Sequence, residues 1–192
     1  MFLFVLGVSY LLLPSKILIG GSNMCRIACV GGRAYRQLGF ELSEPKVVVP
    51  GMRVPVISRD GLYLAKWGVP LRGDSNELVY NARAEKVYRA LVEGSGFWRG
   101  SQLVYVPLTG IKEGGRWFAL YDDPQPEPVF ALAVNLGFKE KGRISLVTVD
   151  AMQPIRDYHH RQPFIVSAPN FADTASEYFG QRQVPLTVVS GW

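Results

Sequence analysis

The chain contains few of the residues that build disulfide frameworks and metal sites. Its 192 residues include two cysteines and two histidines. Cys25 and Cys29 lie so close in sequence that a disulfide between them would close a tiny loop with little entropic benefit. His159 and His160 are adjacent, and no further ligands accompany them at the spacing of a zinc site. We therefore expect reduced thiols, no bound metal and no cofactor.

Long apolar sequence is also scarce. The apolar run from Met1 to Leu13 is shorter than the roughly 20 residues that a membrane-spanning helix needs. No basic residue precedes this run, which is untypical of a secretion signal. Charged residues make up 19% of the chain and hydrophobic residues 48%, which excludes a disordered protein. The composition is that of one globular domain of modest size.

The residues just before Met24 indicate a different origin for the N-terminal segment. Residues 20–24 read Gly-Gly-Ser-Asn-Met, which a ribosome-binding sequence followed by a start codon can encode at bacterial spacing. We therefore predict that translation starts at Met24, that residues 1–23 are an upstream extension, and that residues 24–192 form the domain. The alternative is that residues 1–23 are a leader or a propeptide.

Removal of Met24 would make Cys25 the N-terminal residue. Its α-amine and thiol would then share one carbon framework, and groups of both kinds titrate near physiological pH. Such a 1,2-aminothiol condenses with an aldehyde to form a thiazolidine ring, a reaction open to no other residue. An internal Cys25 would have only its thiol, and an ordinary buried thiol is the alternative interpretation.

The charge balance favours a polyanionic partner. Lysine and arginine number 21 against 16 acidic residues, which gives a formal net charge of +5 and a sequence pI near 9.3. With Met24 as the start, we expect a monomer in the bacterial cytosol, encoded by a bacterium or a phage, with no membrane association.

The distribution of turn-forming and β-favouring residues predicts the fold class. Thirteen prolines and twenty glycines separate many short β-branched or aromatic runs. We predict a strand-rich α+β single domain of mostly antiparallel sheets, forming a pseudo-barrel or sandwich with a few peripheral helices. Arg59-Asp60-Gly61 predicts a hairpin between two of these runs. The predicted strands are Lys46–Val49, Val54–Ile57, Leu62–Trp67, Leu103–Pro107, Trp117–Tyr121, Val129–Leu136, Ile144–Val149 and Phe164–Val166.

Two segments have the apolar spacing of helices. Ala82–Glu93 has apolar residues at a helical period and follows Asn81, a good capping residue. Asn170–Phe179 has a similar pattern and begins with its own capping residue, Asn170. We predict a helix at each position.

Four short segments together carry a family resemblance. They are Met24-Cys25, Lys66-Trp67-Gly68, Asn81-Ala82-Arg83-Ala84-Glu85 and Tyr158-His159-His160-Arg161-Gln162-Pro163. In this order and at about these separations, they resemble the SOS response-associated peptidase (SRAP) family of abasic-site-processing proteins. The resemblance extends from about Met24 to Val166 and implies an SRAP-like fold.

The resemblance implies a function and three catalytic residues. Family members bind single-stranded DNA at abasic sites, where the opened sugar presents an aldehyde, and their N-terminal cysteine forms a thiazolidine crosslink with it. Cys25 would be this nucleophile, Asn81 would hydrogen-bond near the ring, and His159 would assist proton transfer. If residues 159–160 form a strand, their side chains point to opposite faces, so only one of the two histidines enters the pocket. On local evidence alone, Asn81 is at least as well explained as a helix cap.

The resemblance also implies DNA contacts. Arg83 would face phosphate, Arg161 would be a further DNA-facing arginine, and Arg26 retains, displaced by one position, the basic residue near the family's cysteine. Arg99 would hold a phosphate, and Trp67 would stack on a base. Each residue has a plainer alternative, because Trp67 fits a core strand equally well and Arg83 fits a solvated charge on a helix face.

One departure from the family bears on turnover. Gly96-Phe97-Trp98-Arg99-Gly100 aligns with the family's Gly-Phe-Tyr-Glu-Trp element, which places Arg99 where the family has its acid/base glutamate. Arginine stays protonated and cannot shuttle protons. We therefore expect crosslinking to survive, while sugar-ring opening and crosslink reversal slow by about 10²–10⁴-fold, unless Glu93 reaches the pocket. Autoproteolysis, which needs the same glutamate, is equally in doubt.

A second function remains open on the sequence alone. The same fold without catalysis would be a single-stranded DNA-binding module that holds its ligand with arginines and stacked aromatic rings. Such a module would bind without forming a covalent bond and without preference for abasic sites.

Overall fold

The computed structural model describes residues 27–30, 39, 46–71, 77–119, 129–137, 142–184 and 187–189. The predictions for residues 1–23, Met24, Cys25 and Arg26 concern residues outside these ranges. Within the ranges, the strands are β1 (Ile27–Val30), β2 (Lys46–Val48), β3 (Arg53–Ser58), β4 (Gly61–Trp67), β5 (Val69–Pro70), β6 (Leu78–Val79), β7 (Asn81–Arg83), β8 (Gln102–Leu108), β9 (Gly110–Glu113), β10 (Arg116–Ala119), β11 (Val129–Leu136), β12 (Arg143–Asp150), β13 (Arg161–Pro163), β14 (Ile165–Val166) and β15 (Thr187–Val189).

Helices are short and lie outside the sheets. α1 covers Ala84–Glu93, one 3-10 turn covers Ile155–Asp157, and α2 covers Ala175–Phe179. The buried residues of α1 fall on one face at helical spacing, and Gly94, in the left-handed conformation with φ 64°, ends the helix.

The large sheet closes on itself. β12 pairs in parallel with β4 and antiparallel with β11, while β4, β3, β8 and β11 pair in that order and antiparallel. Five strands therefore form a ring, and side chains alternate between its inside and its outside. This closure and the predominance of antiparallel pairs confirm the prediction of a strand-rich α+β domain with a pseudo-barrel.

A smaller antiparallel sheet, with the strand order β15-β10-β9-β1-β2, shares its core with the barrel. Ile111 and Phe118 of the small sheet lie in one cluster with Trp67 and Leu146 of the barrel, and all four are at most 1% exposed. Burial of a large apolar side chain stabilises the fold by about 1.5–3 kcal/mol. This cluster therefore fixes the small sheet against the barrel.

A second cluster covers the outer face of the barrel beneath the helices. Val87 and Ala90 of α1 pack there with Leu132, Val147 and Phe164. Leu132 and Val147 belong to this cluster while their immediate neighbours in β11 and β12 face inward. The strand alternation therefore supplies both cores.

The predicted strands and hairpin are largely confirmed. All eight predicted runs contain an observed strand, although Phe164–Val166 holds only the two-residue β14, and of Trp117–Tyr121 residues 120 and 121 are outside the described ranges. Ser58 lies opposite Gly61, so Arg59 and Asp60 form the two-residue turn.

The predicted start of each helix is wrong. Asn81 lies in β7, opposite Leu146 of β12, and the first helix begins at Ala84 without a side-chain cap. The second helix begins at Ala175, where the Thr174 side chain accepts from the Glu177 amide in a capping box. Asn170 uses its carbonyl oxygen instead, as acceptor for the Tyr105 hydroxyl at 2.7 Å.

Candidate functional site

The candidate site lies where the small sheet meets the segment that follows β12. Ile27, the first residue of β1, pairs with Lys112 of β9, and the next residue is Glu113. β9 then turns into β10 at Gly114, where a Cβ atom would come within 3.0 Å of the Tyr158 Cβ. This close approach brings Tyr158 and the neighbouring His159 against the hairpin of β9 and β10, which we call the β9–β10 hairpin (residues 110–119).

Glu113 is the buried carboxylate at this end of the sheet. It is 3% exposed and lies two residues after Ile111, so strand alternation places both side chains on the inner face. Glutamate is almost never fully buried unless it is paired, and Arg116 lies opposite Glu113 in the register of β9 and β10. A carboxyl group can accept and return a proton in general acid–base chemistry.

Glu113 is a second candidate for the acid/base position that the resemblance places at Arg99. Gly110-Ile111-Lys112-Glu113 has the same Gly-x-x-Glu spacing that the sequence comparison placed on the segment ending at Arg99. Glu113 therefore offers a buried glutamate at this spacing, which the interpretation of Arg99 as the aligned residue did not include. The aromatic residues Phe97 and Trp98 favoured the segment that begins at Gly96. Glu113 is distinguished only by its burial and its position in β9, which the sequence does not show.

Arg99 lies at the opposite end of the barrel. It precedes β8 by three residues, and the first residue of β8 is opposite Asn135, which is itself opposite Ile144 at the start of β12. The carbonyl of His160 accepts a hydrogen bond from Ala151, the residue that follows β12. Ala151 comes seven residues after Ile144, which corresponds to about 23 Å at 3.3 Å per residue. The structure therefore does not bring Arg99 together with the histidines.

Glu93 is also remote from the candidate site. It is the last residue of α1 and lies 4.0 Å from Arg89 in an exposed ion pair. Glu85, at the other end of the same helix, is the carboxylate that reaches the His159 segment. Eight residues of helix separate the two carboxylates, about 12 Å along the axis.

The two histidines stack on each other, so the expectation that they point to opposite faces is wrong. They follow the 3-10 turn and precede β13, and their ring centroids are 4.4 Å apart with an interplanar angle of 32°. The amide of His159 donates to the carbonyl of Ile155 at 2.8 Å. The two-residue alternation that separates neighbours in a strand does not apply to this loop.

His159 has one ring nitrogen fixed by the backbone. Its Nδ1 atom is 3.1 Å from both the amide nitrogen and the carbonyl oxygen of Arg161. From this network we assign the neutral ring to the tautomer in which Arg161 N–H donates to Nδ1 and the proton is on Nε2. His159 is half-buried, whereas His160 is exposed.

Arg161 is an internal ion-pair residue and not the DNA-facing arginine that the resemblance implied. Its guanidinium donates to both carboxylate oxygens of Glu85 at 2.8 and 3.0 Å, to Asp150 at 2.7 Å and to the Thr148 carbonyl at 2.5 Å. The side chain is only 6% exposed. Two of the four segments that carry the resemblance, the one ending at Glu85 and the one containing Arg161, are thus joined by one bidentate ion pair.

This ion pair shifts the pKa values of its partners. The hydrogen bond from Arg161 holds the pKa of the Glu85 carboxyl below its usual value, against an opposing effect of burial. Burial acts to lower the pKa of Arg161, but hydrogen bonds to Glu85 and Asp150 outweigh it and raise that pKa. Both groups therefore stay charged at neutral pH.

The other predicted residues have distinct positions. Trp67 is 1% exposed and its Nε1 donates to the Tyr80 carbonyl at 2.9 Å, so it is the core-strand residue and not a base-stacking platform. Arg83 is exposed at the end of β7, beside Glu85. Asn81 alternates with Ala82, which packs in the outer cluster, so Asn81 lies on the inner face of its strand.

The β9–β10 hairpin presents basic groups over aromatic rings, a feature that the sequence analysis missed. The Lys112 Nζ atom lies 5.7 Å from the centroid of the Trp117 ring. The Arg116 guanidinium lies 5.4 Å from the centroid of the Tyr158 ring, and Tyr158 is 37% exposed. The sequence signal for this feature is the pair of basic residues close to a tryptophan in Lys-x-x-x-Arg-Trp.

No protein-family model matches the chain, and no curated protein is similar to it in sequence. Within the described ranges, no three histidine, cysteine or acidic side chains are grouped as they would be around a metal ion. None of the helices in those ranges has the length and apolar character needed to cross a membrane.

Proposed function

We propose that this chain captures abasic sites in single-stranded DNA by forming a thiazolidine between Cys25, as N-terminal residue, and the aldehyde of the opened sugar. The observation that carries the proposal is the pairing of Ile27 with Lys112, one residue from the buried Glu113. Cys25 precedes Ile27 by two residues, which span at most about 7 Å. A span of this length would let the aminothiol reach the end of the small sheet where Glu113 lies.

The proposed reaction needs two kinds of proton transfer. Opening of the sugar moves the proton of its 1-hydroxyl group to the ring oxygen and leaves an aldehyde. The α-amine of Cys25 then adds to the aldehyde carbon, water leaves to give an iminium ion, and the thiolate closes the five-membered ring. Glu113 and His159 are suited to these transfers because a carboxylate and an imidazole can both accept and return protons.

Reversal of the crosslink belongs to the same proposal. It requires the sulfur to leave the ring carbon and take up a proton, water to add to the resulting iminium carbon, and the α-amine then to leave so that the aldehyde is restored. Because Glu113 supplies the acid/base group that Arg99 cannot, we expect capture and reversal to run at one site.

The β9–β10 hairpin is the element that we assign to the DNA strand. Lys112 lies opposite Trp117 and Arg116 lies opposite Glu113, so the two basic side chains start from opposite faces of the hairpin. Lys112 and Arg116 would neutralise phosphates, and the rings of Trp117 and Tyr158 would support the neighbouring bases. These four residues replace Trp67, Arg99 and Arg161 of the sequence-based set. Arg83, exposed beside Glu85, remains a proposed phosphate contact.

A gel assay with defined DNA tests the proposal. Protein that begins at Cys25 is incubated with single-stranded DNA carrying one abasic site, then heated in denaturant. We expect a shifted band that Cys25→Ala abolishes, and a mass equal to protein plus DNA minus one water. An added N-terminal alanine is the matched control, because Cys25 then keeps its thiol while its α-amine becomes the nitrogen of a peptide bond.

The competing outcome is the binding module. It predicts salt-sensitive binding to intact and abasic DNA alike, with no heat-stable band and no effect of Cys25→Ala. The cation–π pairs of the hairpin are the observation that favours this second function. Mass measurement of the protein expressed from its native gene determines separately whether the chain begins at Cys25.

A further inference from the structure

The structure assigns a positioning role to Arg161: it holds the His159 ring in the tautomer and orientation that proton transfer requires. The inference rests on the proposed function for its chemical purpose and on the ion-pair geometry for its evidence. It also replaces the expectation that Arg161 contacts DNA.

The side chain of Arg161 is fixed before any ligand binds. Glu85 holds both terminal nitrogens of the guanidinium, and Asp150 and the Thr148 carbonyl each accept one further hydrogen bond. Glu85 and Asp150 keep 61% and 91% of their side chains exposed, whereas Arg161 keeps 6%. The guanidinium is therefore enclosed by its partners and presents little surface to a phosphate.

The backbone of the same residue determines the state of the His159 ring. β13 pairs with β12 at Arg161, and Ala151 N–H donates to the carbonyl of His160 at 2.9 Å. The amide and carbonyl of Arg161 both contact His159 Nδ1 at 3.1 Å. The N–H group is donor to the neutral ring, and the carbonyl can accept when Nδ1 gains a proton.

One residue can therefore stabilise both protonation states of the imidazole. In the neutral ring Nε2 carries the proton, so Nε2–H can donate a hydrogen bond to an oxygen atom of a bound ligand while Glu113 exchanges protons. Loosening the guanidinium would let the start of β13 shift, and the ring would lose its fixed tautomer. Displacement of a catalytic group by 1 Å can cost about 100-fold in rate.

Imidazole nitrogen chemical shifts test the inference without DNA. The chain has only two histidines, so His160→Gln assigns both rings. In the wild-type protein we expect one dominant tautomer at His159, with its proton on Nε2. In Arg161→Lys and Glu85→Gln we expect a mixture of tautomers. Glu93→Gln is the matched control, a carboxylate on the same helix that pairs with Arg89 instead.

Kinetics with abasic single-stranded DNA supply the second measurement. We expect Arg161→Lys to slow crosslinking of bound DNA by about 10- to 100-fold while the dissociation constant changes less than about twofold. Glu85→Gln keeps Arg161 and its bond to Asp150, so it serves if the lysine variant does not fold. The same single His159 tautomer in both variants and the wild type would overturn the inference.

A weaker affinity and a salt slope lowered by about 0.7, with an unchanged rate for bound DNA, would return Arg161 to the role of a phosphate contact. Absence of any crosslink in the wild type would sink the proposed function alone. The chemical shifts would still decide whether Arg161 positions the ring.

Discussion

At the scale of single residues, Glu113 combines an ionisable side chain with nearly complete burial. A carboxylate at 3% exposure gives up most of its hydration, and a fold retains such a group where it has a partner or a purpose. Asp150 and Glu85 show the usual solution, since both keep much of their surface in water while binding Arg161. Glu113 differs from them because its side chain faces the core side of its strand.

Replacement of Glu113 by glutamine tests this residue directly. Glutamine has nearly the same shape but cannot accept and return a proton, so we expect crosslinking of abasic DNA to slow by about 10²–10⁴-fold. Circular dichroism and the unfolding midpoint should change little. The measurement is a single-turnover time course, with Glu93→Gln as control. A rate equal to that of the wild type would show that Glu113 is a structural residue.

At the scale of elements, short β-branched or aromatic runs between turn residues predicted the strands. Pairing with strands distant in sequence determined the features that these runs do not show. The run from Val129 to Leu136 is bounded correctly because seven of its eight residues are apolar. β7 is three residues long and exists because β12 lies beside it, so local signals made Asn81 a cap. The burial of Glu113 likewise depends on a neighbouring layer that no local pattern contains.

The turn of the β9–β10 hairpin offers a matched pair of glycine variants. Gly114 and Gly115 have φ values of +52° and +83°, so alanine at either position costs about 1 kcal/mol in backbone conformation. A Cβ at Gly114 also meets Tyr158 at 3.0 Å, whereas a Cβ at Gly115 meets nothing within 4 Å. We expect Gly114→Ala to lower the free energy of unfolding more than Gly115→Ala does.

The same pair reports on the histidine beside the turn. Displacement of Tyr158 should move the His159 nitrogen shifts in Gly114→Ala and leave them unchanged in Gly115→Ala. Equal unfolding midpoints in urea, with no change in the shifts of either variant, would show that Tyr158 does not couple the hairpin to His159.

At the scale of the whole molecule, the net charge of +5 favours nucleic acid without saying where the strand lies. The sequence spread the DNA contacts over five residues, of which Trp67 and Arg161 are buried and Arg99 is at the far end of the barrel. The structure places Lys112, Arg116 and Trp117 on the hairpin that carries Glu113, with the Tyr158 ring against Arg116. The position of the basic side chains, and not the net charge, thus determines where we expect the DNA strand to bind.

Salt titration of binding distinguishes the two placements of charge. For single-stranded DNA each neutralised phosphate contributes about 0.7 to the slope of log affinity against log salt. Lys112→Gln combined with Arg116→Gln should reduce the slope by about 1.4 and weaken binding to intact and abasic strands alike. Arg99→Gln removes the same kind of charge far from the hairpin, so we expect its slope to equal that of the wild type. If Arg99→Gln lowers the slope and the hairpin variant does not, the strand lies at the other end of the barrel, and the proposed route of DNA past Glu113 is wrong.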